Sequence, residues 1–399
     1  MIPTIRQKYN ESFSNEKYAA LIAEIEQEYP HQLDFRIAET PVFVDKHLKS
    51  KLLVACNDII EVILKNDFKA KTERAIPANQ FVPNENGHTH FMAIDFAICK
   101  DENGNLNPQL IELQGFPSLF AYQTYLGQKY SKFFYKPEAY SQYFNRLNQD
   151  SYIETMRKTL LGNEKSENVI LLEIFPEKQK TRLDFAITKE LWGVEAVCLT
   201  KIKKTGRTIY YEKDDKKIEI KRIYNRLIFD DLLQNYPNLE TEFKLTDDVD
   251  VTWVAHPNWF FRISKFTLPL LKSQYIPQSY YLSDLKEYPA DLENYVLKPL
   301  FSFAGSGVKI NITKEDLDSI EDKENFLIQR KVNYEPIIED KEGKLIKTEI
   351  RMMFAWEDGA ARPTLVTNLA RLSRGEMIGV NFNKNFDWVG GSCSFFEEN

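Results

Sequence analysis

Apolar residues recur at helical spacing along the first part of the chain. Leu21, Ile22, Ile25 and Tyr29 define one apolar face, and Ile59, Ile60, Val62, Ile63 and Leu64 define a second, so the stretch from Ser14 to Lys65 is predicted to be helical. Residues 66–90 lose that period and carry Pro77, Pro83 and the Asn86-Gly87 turn signal, which predicts irregular structure. The pattern then shortens. Phe91 to Cys99 is an apolar strand, Asp101 to Asn105 is a polar turn containing Gly104, and Gln109 to Leu113 is a second strand. Two such runs joined by a glycine-containing loop predict a β-hairpin. Helices are expected from Leu119 to Tyr130 and from Pro137 to Leu161.

Residues 165–260 alternate between strand and helix. Asn168 to Phe175 is a strand, Lys180 to Trp192 a helix closed by Gly193, and Ala196 to Thr200 a strand. Ile209 to Tyr211 and Ile218 to Tyr224 form a β-pair around the charged turn Lys213–Lys217. Such alternation predicts a layered, parallel sheet. Beyond Tyr295, strands are expected at Tyr295–Lys298, Val308–Ile310, Phe326–Val332 and Thr348–Ala355. A helix from Thr313 to Ile320 lies between them, with Thr313 as its cap and acids in its first turn. The fold class is therefore α/β with α+β elements. There are no internal repeats and no low-complexity tract.

The 399 residues are 43% hydrophobic and 28% charged, the balance of a globular protein with a sizeable core. A net charge of −7 and a pI near 5.5 disfavour nucleic acid and anionic membranes as the main partner, while leaving room for a local basic pocket. Cys56, Cys99, Cys198 and Cys393 are scattered, with no C-x-x-C pair, which points to reduced thiols. The polar N-terminus lacks an apolar signal region and no apolar run reaches membrane-spanning length, so a cytoplasmic location is expected.

Three segments carry residues suited to chemistry. In YVLKPLFSFAGSGVKI, residues 295–310, a strand ends at Lys298-Pro299 and a loop of small residues follows through Gly305-Ser306-Gly307. A lysine there can meet phosphate as a point charge, and small residues let backbone N–H groups approach phosphate oxygens. The same pattern also fits a glycine-softened hairpin. Upstream, the first hairpin places Asp95 on one strand and Glu112 and Gln114 on the other, the last two on one face. A carboxylate beside an amide oxygen suits Mg²⁺, although a polar strand face has the same pattern. Near the C-terminus, Arg351, Arg371 and Arg374 flank strand-like runs, and Gly390-Gly391 offers a tight backbone turn. Arginine forks bind phosphate and carboxylate through two prongs. His88 and His90 face the same way if extended, but a third zinc ligand is missing and a structural role is the expectation.

Taken together, these segments resemble the permuted branch of the ATP-grasp superfamily. That branch includes eukaryotic-type glutathione synthetase and, more distantly, glutathionylspermidine synthetase. The shared order is an acid-bearing hairpin, a small substrate domain, then a Lys-Pro strand with its glycine-rich loop, and it covers roughly residues 90–399. The resemblance implies a circularly permuted ATP-grasp fold with a small parallel α/β substrate domain. Residues 1–164 would form a helical region plus the metal-binding hairpin, 165–260 the substrate domain, and 261–399 the rest of the ATP-grasp unit. It implies ATP contacts by Lys265, Lys298, Gly305, Ser306, Gly307 and Gln329. Backbone groups at Lys331 and Val332 would meet the adenine edge, and Glu335 or Glu339 would meet the ribose. Glu112 and Gln114 would hold Mg²⁺ with support from Asp95, while Arg351 and Arg371 would surround the transferred phosphate. Ser373, Arg374, Asn381, Asn383, Gly390 and Gly391 would bind substrate.

Two residues depart from the family pattern. Gln114 stands where relatives carry Asn, and the loop after Lys298-Pro299 reads Leu300-Phe301-Ser302-Phe303, without the metal-binding Glu of relatives. Another carboxylate, Asp95 or Glu349, would have to complete the site, or ATP itself would hold more of the metal, or catalysis would be impaired. The implied reaction joins a small-molecule carboxylate to an amine through an acyl phosphate at the expense of ATP. A non-catalytic ATP-binding homologue and an ATP-grasp kinase are the alternatives. The sequence names neither substrate nor oligomeric state.

Overall fold

The computed structural model describes residues 2–301, 307–375, 378, 383 and 385–398. The architecture is a mixed α/β arrangement of several sheets. The largest is antiparallel, with strands in the order Gly390–Ser392, Thr364–Ser373, Leu345–Ala355, Phe91–Lys100 and Leu106–Gln114. Its Phe91–Lys100 strand alternates, as a strand between two neighbours must. Met92, Ile94, Phe96 and Ile98 enter the main apolar core, and Asp95 points from the opposite face.

A second sheet is wholly parallel, ordered Thr252–Val254, Arg222–Asn225, Val169–Glu173 and Glu195–Cys198. The helix Arg182–Trp192 connects two of these strands, and Gly193 at φ 70° ends it in the left-handed conformation that glycine adopts without strain. A third sheet is antiparallel, ordered Ser279–Tyr281, Phe326–Arg330, Tyr295–Pro299 and Lys309–Ile310. It has its own small core of Leu282, Tyr295, Leu297, Ile312, Leu317 and Ile328. Val42–Val44, Ser394–Glu397 and Tyr140–Ser141 tie the N- and C-terminal parts together in a further sheet. Among the described residues, no helix is long and apolar enough to cross a membrane.

Several expected boundaries shift for identifiable reasons. The helix expected from Pro137 begins only at Gln149, because Asn148 and Ser151 form a reciprocal cap and Tyr140 is drawn into a strand pair with Glu397. The run Ile218–Tyr224 serves two sheets. Lys216–Glu219 pairs back on Thr208–Lys213, and Arg222–Asn225 enters the parallel sheet. The second hairpin strand starts at Leu106 and tolerates Pro108 because it lies at the sheet edge.

The end of that edge strand is tightly packed. A Cβ on Gly115 would lie 1.9 Å from the Trp259 carbonyl oxygen, on backbone that cannot swing aside as a side chain would. Gly115→Ala is expected to cost at least about 2 kcal/mol, as overpacking does. Urea denaturation measures this, and an unchanged midpoint would show that the Trp259 turn is not held in place.

Candidate active site

Strand register assembles the site. Glu112 pairs with Asp95 and Asp95 with Arg351, while Glu349 pairs with Arg371 two residues along. Gln114 is the neighbour of Ala93, two residues from Asp95. Because cross-strand partners share a face, Gln114, Glu112, Asp95, Arg351, Glu349 and Arg371 all emerge on one side of the large sheet. No spacing within a single segment contains this row, since its members come from four strands that lie far apart in the chain, from Asp95 to Arg371.

Asp95 is fully buried and its carboxylate is heavily used. Arg351 donates from Nε to Oδ1 and from Nη2 to Oδ2, both at 2.7 Å, in a two-pronged pair. Arg371 Nη2 reaches Oδ2 at 3.0 Å and Gln114 Nε2 approaches it at 3.4 Å. Arg371 also meets Glu349 Oε2 at 2.6 Å, and the Tyr334 hydroxyl donates to Glu349 Oε1.

The small antiparallel sheet supplies Lys298. A bulge between Asp95 and Phe96 leaves Ile111 without a cross-strand partner, and Lys298 Nζ donates to its carbonyl at 3.3 Å. The same ammonium donates to Gln329 Oε1 at 2.6 Å. Burial pushes the Lys298 ammonium down to about 8, with Glu112 opposing that shift and Lys265 adding to it. Lys265, at the start of the turn Lys265–Leu270, lies 3.3 Å from Glu112 Oε1. Glu112 and Lys298 therefore share one site, as do Lys265, Arg351 and Arg371.

The remaining sequence-derived positions fall into three groups. Gly305, Ser306 and Asn381 lie outside the described residues. At the strand end after Gln329, the Lys331 amide donates to the Asn294 carbonyl, and the Glu335 amide to the Ile98 carbonyl while its carboxylate pairs with Lys100 at 2.6 Å. Val332 follows Lys331 outside any strand. Gly307 takes φ 71° beside Pro299, so the glycine there serves backbone geometry. Towards the C-terminus, Asn383 Oδ1 accepts from Ser373 Oγ at 3.0 Å and from the Arg374 amide at 2.9 Å. The Arg374 guanidinium is paired with Asp340 and Asp387. Gly390 and Gly391 are in strand, not in a free turn, and the Gly391 amide is donated to the Arg36 carbonyl.

His88 stacks on Trp356 with ring centroids 4.2 Å apart, and His90 Nε2 bonds Asp358 at 2.8 Å, so both are occupied in packing. Among the described residues, no group of three or more His, Cys, Asp or Glu is arranged to hold a metal ion.

A second polar group lies at the carboxyl ends of the parallel strands. Glu173 closes the apolar strand Val169–Glu173 and is 6% exposed, and burial pushes its carboxyl up to about 7 against the pull of Arg226. Arg226 follows the neighbouring strand, and its Nε is buried without a hydrogen-bond partner among the described residues. The carboxyl edge of a parallel sheet is where such folds bind ligands. The signal was an acid terminating an otherwise apolar run, but nothing in the sequence distinguishes that from an ordinary strand end.

No family model and no curated protein matches the chain. Among solved structures it is similar to a glutathione synthetase-like effector from Globodera pallida in its apo form, with a TM-score of 0.58 and 9% sequence identity. That match covers 97% of this chain and 98% of the effector, so the likeness is one of whole architecture. The chain has a glutathione synthetase-like fold.

Proposed function

We propose that this protein is an ATP-dependent carboxylate–amine ligase of permuted ATP-grasp type. The observation that carries this reading is the convergence of Lys298 and Lys265 on the Glu112 strand, opposite Asp95, Arg351 and Arg371. Two ammonium groups and two guanidinium groups placed where two sheets meet suit a polyphosphate between them. Gln329, on the strand that leads to Lys331 and Val332, would align the base end, and Glu335 would flank the ribose.

In this reading a substrate carboxylate attacks the γ-phosphoryl group, and ADP leaves. Lys298 and Arg371 offset the charge that spreads over the phosphoryl oxygens, which is catalysis by positioning and electrostatics. An amine then attacks the acyl phosphate, phosphate departs, and an amide remains. Glu173 and Arg226 would grip charged ends of the substrate at the parallel sheet, a carboxyl for the arginine and an amino group for the acid.

Lys298→Met keeps the bulk of the side chain and removes its charge. It is expected to abolish ATP-dependent ADP release in a screen of amino acids, dipeptides and polyamines, with an unchanged circular dichroism spectrum. Undiminished turnover in that variant would refute the reading. A non-catalytic nucleotide-binding role is favoured instead if ATP binds by calorimetry and no acid–amine pair yields ADP. The pairing of every carboxylate in the row with a cation is the feature that supports this second reading.

Glu173 makes a prediction about stability. Its folded value near 7 lies above its ordinary 4.5, so the protein is most favoured while Glu173 is protonated and loses that contribution as pH rises from about 4.5 through 7. Glu173→Gln lacks this loss. Its stability relative to the parent is expected to grow by up to roughly 3 kcal/mol between pH 4.5 and pH 8, from 1.36 kcal/mol per pKa unit. Urea titrations at the two pH values test this, and a pH-independent difference would remove Glu173 from the list of buried, proton-holding acids.

A further inference from the structure

The fold family implies a divalent cation at this site, and the donors among the described residues do not fit one. Mg²⁺ requires near-octahedral oxygen ligands at about 2.0–2.1 Å. Asp95 has both oxygens engaged by Arg351 and accepts again from Arg371, at full burial. Glu112 is paired with Lys265, and Glu349 with Arg371 and Tyr334. Gln114 turns its amide nitrogen, not its oxygen, towards Asp95. The sequence between Pro299 and Val308 contains no acid at all.

A metal ion entering this row would have to break a buried two-pronged ion pair and then sit beside the guanidinium it displaced. Removing one partner from such a pair typically costs about 3–5 kcal/mol. The like-charge contact adds to that cost, since Asp95 and Arg351 are both buried. Arg351, meanwhile, is a permanent cation on the sheet face that a metal would occupy, and it is 9% exposed.

We infer that Arg351 takes the place of a protein-bound divalent cation, so that this chain binds nucleotide triphosphate without needing Mg²⁺. The inference rests on the nucleotide-binding reading above and adds to it the source of the positive charge. Lys265, Lys298, Arg351 and Arg371 neutralise the phosphates, and any Mg²⁺ in solution travels with the nucleotide and is not seated by the protein.

Isothermal titration of the full chain with ATP, once in excess EDTA and once in excess MgCl₂, tests this without relying on turnover. The expected result is binding in both, with affinities that differ by less than about tenfold, which is 1.4 kcal/mol. Binding in MgCl₂ with a larger loss in EDTA overturns the inference and leaves the nucleotide site standing. Absence of binding in both buffers overturns the nucleotide reading itself, and the inference falls with it. Arg351→Met, checked for folding by circular dichroism, is expected to weaken ATP binding in EDTA by at least about tenfold. It is also expected to recover part of that loss when MgCl₂ is added, since Asp95 is then released. An Arg351→Met protein that folds and binds ATP in EDTA as the parent does would also overturn the inference. Should Arg351→Met fail to fold, the two-buffer comparison on the parent protein decides alone.

Discussion

A buried carboxylate cannot stay charged away from water unless something holds it, and Asp95 is the carboxylate on which this structure turns. Full burial of an isolated anion is prohibitively costly, so its two oxygens are met by the Arg351 fork and again by Arg371. These bonds cross from the Phe91–Lys100 strand to Leu345–Ala355 and Thr364–Ser373. They hold two arginines at defined positions on one face of the sheet. Glu349 and Tyr334 extend the same network and restrain Arg371 from its other side. The electrostatic character of the face follows from that one burial.

The small antiparallel sheet meets this face through a lysine. Lys298 is nearly buried, and its ammonium is held by Gln329 and by the carbonyl that the bulge at Ile111 leaves unpaired. A bulge is a small local irregularity with a large consequence here. It turns one backbone oxygen out of the ladder and gives a charge from another sheet a place to dock. Lys265 on Glu112 makes a second tie between the same two regions of chain. The small sheet has a core of its own and also sends Tyr281 and Leu327 into the main one, so these polar ties add to apolar packing where the two meet.

The likeness to a glutathione synthetase-like effector is a likeness of shape at very low identity. Function depends on sites, not on shape. The row of three carboxylates and two arginines, with Lys265 and Lys298 set against it, is where a ligase and a nucleotide-binding protein without catalysis would differ. In the proposal made above, guanidinium and ammonium groups embrace phosphate where a metal ion would otherwise do so.

Local rules acting on the sequence were enough for the first hairpin, the parallel unit and the helix closed by Gly193. In each, apolar period and turn residues agree over a short stretch. They also picked out Lys298, Glu112, Asp95, Arg351 and Arg371 as residue types suited to phosphate and metal chemistry. Tertiary structure alone decided what those residues do to one another. Register across three strands placed Asp95 against two arginines, and a bulge that no pattern announces opened Ile111 to Lys298. It decided, too, that Gly390 and Gly391 pair as a strand and that Glu173 is buried beside Arg226. The physical reason is range. Periodicity and turn chemistry act over a few residues, whereas the charge balance of a buried site is set by groups that meet only after the sheets have formed.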